Sequence, residues 1–169
     1  MKGYNITMQS FLALLKNPAW DLALVLMLVA GGFFLGISGG KKKMAFIILA
    51  IYVLLALFPF LPIDKLTASR AENEVFMWRA GIFLALLILL TLFLLRSMHG
   101  AAYVSGIWWE ILMLAILAAG FLMVSLLNLA PALLIKNNLL NLSPLTLTLF
   151  TGSIAKWWQI LPIFGVMFL

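Results

Sequence analysis

The residues able to carry chemistry are few in this chain of 169 residues: Asp21, Arg79, His99, Glu110 and Asn128, with the run Lys41-Lys42-Lys43. Glu110 lies one turn into a long apolar run, near Arg96 and His99 in sequence. An acid inside a membrane helix is costly and marks function by default. A proton relay in a small transporter or channel subunit is therefore one expectation for Glu110. Trp108 and Trp109 precede it and belong at the level of the headgroups, where a solvated carboxylate costs little. An interfacial anchor is the plainer reading. Arg79, one turn into another apolar run, can snorkel toward Glu72 on the same face. His99 is the only histidine and cysteine is absent, so zinc pairs, thiolate metal sites, disulfides and cysteine nucleophiles are excluded. No serine, histidine and acid arrangement points to nucleophilic catalysis. Gly39-Gly40-Lys41-Lys42 lacks the spacing and the Ser/Thr of a phosphate-binding loop. Asn5-Ile6-Thr7 and Asn141-Leu142-Ser143 match glycosylation sequons, a pattern short enough to arise by chance. The expectation is no enzyme, no cofactor and no metal.

Something must position these residues, and composition says what. Apolar residues make up 66% of the chain and charged residues 9%, with a mean hydropathy of +1.19. A soluble domain carries about 25% charged residues. The class is integral membrane, as a single domain over 1–169. The net charge of +6 comes from lysines and arginines that flank apolar spans. Lipid headgroups, not nucleic acid, are the partner this distribution fits. Asn5, Thr7, Gln9 and Ser10 interrupt any signal core, so no cleaved signal peptide is expected.

Four spans follow from the apolar runs: 19–38, 44–61, 76–95 and 107–129. The expected fold is an all-α integral membrane bundle of four transmembrane helices with interfacial helices at both ends. In 1–16, Met8, Phe11, Leu12 and Leu15 repeat at helical spacing, as in a helix lying in the interface. Asn17-Pro18 is a helix start signal, and Asp21 follows in the first turn, where the helix dipole favours a carboxylate. Pro59 and Pro62 end span two. Ser69 to Glu72 has the capping-box spacing ahead of span three. Segment 131–169 is interfacial or re-entrant, since its final apolar run is interrupted by Pro162 and Gly165 and is too short to cross about 30 Å of hydrocarbon.

Within span one, Gly32, Gly36 and Gly40 recur every four residues and form a stripe along which another backbone can approach closely. Ala115 and Ala119 give span four a matching patch, and the two are expected to pair. The stripe also offers a docking face for a partner protein. Lys41, Lys42 and Lys43 then bind headgroups at the tightest loop. That loop places the N-terminus outside, although a count of all basic residues favours the reverse.

An acid opening span one (Trp20-Asp21), the glycines and lysines from Gly36 to Lys43, and His99-Gly100 with Gly106 ahead of span four form a recognisable layout. Over about 19–129 the chain resembles the colicin V production protein family. That family usually has an Arg-Gly pair in the first turn and an arginine before span four. Here those places hold Gly39-Gly40-Lys41-Lys42-Lys43 and, near the second, Glu110. The resemblance implies a non-enzymatic accessory protein of the bacterial inner membrane, connected with toxin export or envelope maintenance, with the N-terminus outside. Its work would be helix packing with a second copy or another membrane protein.

Overall fold

The computed structural model describes residues 20–63, 72–97, 107–131 and 142–168. The expected interfacial helix in 1–16, the Asn17-Pro18 start, Ser69, and His99 with Gly100 and Gly106 lie outside the described residues. All regular structure among the described residues is helical: α1 (Trp20–Leu57), a 3-10 turn (Phe58–Phe60), α2 (Glu72–Ser97), α3 (Trp108–Asn128), α4 (Pro144–Phe150) and α5 (Gly152–Phe168). Among the described residues three segments are long and apolar enough to cross a membrane: Trp20–Phe60, Glu74–Arg96 and Trp108–Asn128.

Helix α1 is not one rod. At Gly40 the backbone leaves helical geometry (φ 76°, ψ 173°), a conformation open to glycine and strained for other residues. Met44 follows Gly36 by eight residues, about 12 Å along an unbroken helix. Yet a methyl group on Gly36 would lie 2.9 Å from Met44 Cγ. The chain therefore doubles back, and limb 41–57 packs beside limb 20–39. This corrects the expected three-glycine stripe: Gly32 and Gly36 supply a packing surface, whereas Gly40 makes the reversal. The lysines accordingly begin the second limb instead of filling a loop. Pro59 sits in the 3-10 turn that follows Leu57, and Leu61 is extended.

Helix α3 is the centre of the bundle, with 61% of its apolar window buried against 11% for α2. Both limbs of α1 pack on it. Met44 and Ile48 meet Leu114, Ala115 and Ala118 in one cluster, and Ile51, Leu54 and Phe58 join Phe83, Leu87 and Phe121 in another. Phe58 meets Phe83 edge to face at 5.5 Å, a geometry that suits the ring quadrupoles.

Helix α5 lies antiparallel along α3. Trp158 covers Gly120 so closely that a methyl there would be 2.2 Å from the ring, and Gly165 faces Leu117 in the same way at 2.5 Å. The indole of Trp158 donates to the Leu149 carbonyl at 3.0 Å. The sequence marks the final run as interrupted at Pro162 and Gly165, but the helix passes through both. Proline removes one backbone donor and crowds the preceding turn. In that turn the Tyr52 hydroxyl donates to the Gln159 carbonyl, one residue past the Trp158 carbonyl whose helical donor Pro162 removes.

Candidate functional site

Chain direction gathers four of the basic groups at one end of the bundle, while Arg79 and Lys156 lie toward the other. Limb 20–39 and α2 both run toward it, so Lys41 to Lys43 at the reversal share it with Arg96 in the last turn of α2. Helix α3 starts there, and Lys41 Nζ lies 3.3 Å from Glu110 Oε2, with side chains 30% and 27% exposed. Trp108 and Trp109 stack beside the pair at 4.4 Å and are exposed. The Lys43 stem lies over Gly39, close enough that a methyl on Gly39 would overlap it. The surface can hold an anionic headgroup by charge, with tryptophans at matching depth. Glu110 is thus tied to a cation at the end of the bundle.

A partly exposed ion pair contributes little. Lys41→Ala is expected to lower stability by less than about 1 kcal/mol. The doubly reversed K41E/E110K variant should recover most of that loss in thermal unfolding in detergent; no recovery would mean the two charges do not interact.

The opposite end is held by a different polar group. Asp21 is fully buried. Its Oδ2 accepts the Ser143 amide at 2.7 Å, its Oδ1 accepts the Leu22 amide at 3.0 Å, and the hydroxyls of Thr146 and Ser143 are within bonding reach. Ser143 caps α4, its Oγ accepting the Thr146 amide at 3.3 Å, with Pro144 at the first helical position. The carboxylate therefore faces the positive end of a short helix as well as starting its own. Among the described residues no buried side-chain nitrogen or oxygen lacks a partner. Sequence reasoning placed Asp21 in a first turn but missed Ser143 and Thr146 as its partners.

The small-residue positions meet inside the bundle. A methyl on Gly32 would lie 3.5 Å from Ala115 Cβ, and one on Gly36 would lie 2.4 Å from Ile111 Cγ2. Ala119 is buried in the same face of α3. The idea of this stripe as a docking face for another protein is overturned at Gly32 and Gly36, because α3 and Met44 already cover them. Arg79 is half-buried in α2; the side chain of Glu72, its expected partner, lies outside the described residues. Asn128 is exposed at the end of α3.

Helix α2 carries a long outward apolar surface. Phe83 and Leu87 fix it to the bundle, while Met77, Trp78, Ile88, Leu89 and Phe93 project away, Met77 with 71% and Phe93 with 68% of its surface exposed. Gly81 on this helix meets nothing within 4 Å of a Cβ position. Met77, Trp78, Gly81, Ile82 and Ala85 line a shallow apolar depression along it.

Among the described residues no group of three or more His, Cys, Asp or Glu side chains could hold a metal ion. Fold and surface together define an all-helical protein whose long helices suit a membrane. The chain matches no protein-family model, no curated protein and no solved structure.

Proposed function

We propose that the chain is a non-enzymatic, multi-pass accessory protein of a bacterial inner membrane, working by helix packing with a second copy or another membrane protein. The observation that supports this reading is the outward face of α2: long, apolar and carrying the open groove at Gly81 and Ala85. In lipid, association comes from close packing at small residues, because hydrocarbon matches leucine in polarity. The crossings in this proposal are limbs 20–39 and 41–57, α2 and α3. Helix α5, 17 residues long, measures about 25 Å, short of the roughly 30 Å hydrocarbon layer, and stays embedded beside α3. The Lys41 to Lys43 turn is cytoplasmic and the N-terminus outside, in keeping with the positive-inside tendency for tight basic turns. The layout resemblance to colicin V production proteins belongs to the same proposal and connects it with export or envelope maintenance.

The test is photo-crosslinking in membranes from a reactive residue placed at Ala85, with Met113, exposed on α3, as control. Crosslinked species that form from position 85 well above those from position 113 are expected. Recovery of the monomer alone from both positions would overturn the proposal.

A further inference from the structure

Among the described residues the fold leaves an apolar space that its own side chains do not fill. Between limb 20–39, limb 41–57 and α3 lies a cavity of about 410 Å³, reached by Leu24, Gly31, Leu35, Met44, Ile51 and Ala118. Every residue lining it is Leu, Ile, Met, Ala or Gly. From Leu24 to Leu35 it follows three turns of helix, about 16 Å, so it is a slot lying along the limb. Met27 and Leu35 on its rim are exposed, which opens it sideways. Leu35 and Met44 line its end near the lysine reversal, and the exposed Leu35 leaves that end open to the surface.

We infer that this slot holds one acyl chain of an anionic phospholipid whose headgroup rests on Lys42 and Lys43. Three observations carry this. A slot of this size left empty would forfeit dispersion contacts along its whole lining. Water has no polar partner inside it and gains nothing by entering. A chain lying from Leu24 to Leu35 brings its phosphate to the end where the lysines begin the second limb, and charge complementarity makes that phosphate part of an anionic lipid. The glycines explain why the slot exists: Gly31 lines it, and nothing lies within 4 Å of a Cβ built there.

The same position supplies the test. A Cβ at Gly31 meets no protein atom within 4 Å, so Gly31→Trp is expected to fill the slot and Gly31→Leu part of it, while Gly31→Ala leaves most of it open. Full-length protein is extracted in mild detergent, incubated with phosphatidylglycerol or phosphatidylcholine, and measured by native mass spectrometry, with thermal unfolding to confirm folding. Wild type and Gly31→Ala are expected to retain a single phosphatidylglycerol, Gly31→Leu to retain less and Gly31→Trp to lose it. K42Q/K43Q is expected to keep lipid binding but lose about thirtyfold of the preference for phosphatidylglycerol, from the surface attraction of two lysines. Equal lipid retention by wild type and both folded filling variants would overturn the inference. So would a change in oligomeric state on filling with lipid unchanged, which would give the slot to a helix of a second copy.

Discussion

Gly36→Leu is expected to lower the unfolding temperature in detergent by about 10 °C, or to prevent folding. A Cβ at Gly36 would stand 2.4 Å from Ile111 Cγ2 and 2.9 Å from Met44 Cγ, and both neighbours are buried core residues. Both atoms sit one bond beyond Cβ in buried, packed side chains, so relief requires a χ1 change against packed neighbours or a backbone shift. Overpacking of this kind costs about 3 kcal/mol or more, and each kcal/mol shifts a chain of this size by roughly 2–4 °C. Gly31→Ala, five residues back, meets nothing and should be neutral or slightly stabilising, since alanine favours helix over glycine by about 1 kcal/mol. Circular dichroism followed through thermal unfolding distinguishes the two. Equal unfolding temperatures for the two variants would mean that limb 20–39 does not pack on α3 at Gly36.

Asp21→Ala is expected to release α4 while leaving α3 folded. The substitution removes the acceptor of the buried Ser143 amide, 2.7 Å away in the native chain, and leaves the hydroxyls facing Asp21 without their carboxylate. An unmet buried donor costs about 1–3 kcal/mol, equivalent to roughly fivefold to 150-fold in a local opening equilibrium. Amide hydrogen exchange over 142–150 should quicken by a factor in that range, with α3 unchanged. Asp21→Asn, which keeps one oxygen acceptor, should show a smaller increase. Exchange that stays at the native rate in Asp21→Ala would show that Asp21 is not what holds α4.

Helices α2 and α3 were legible because each is a continuous apolar run bounded by charge or tryptophan. The expected 76–95 and 107–129 differ by only a few residues from Glu72–Ser97 and Trp108–Asn128. Gly40 was harder for a physical reason. A glycine can serve by its missing side chain or by the φ it permits, and spacing alone does not separate the two uses. Regular recurrence with Gly32 and Gly36 favoured the first; the backbone uses the second. The role of Asp21 depends on Ser143, 122 residues later in the chain, and helical periodicity carries nothing about that distance. A local signal was present in Ser143-Pro144, a good helix start, but it read as part of a sequon. Pro162 read as a breaker because sequence shows the donor proline lacks, not the packing of Trp158 and Gly165 on α3 on either side of it. Trp158 carried no local signal of its role, and its ring covers Gly120.

A reversal carried by one residue has no slack. Limbs 20–39 and 41–57 cannot slide past each other without unwinding a turn, so they tilt together or not at all, and Gly36 ties that tilt to α3. Among the three long helices, freedom of movement is then left to α2, the least buried of them, and any switching between shapes would begin with that rod swinging on Phe83 and Leu87.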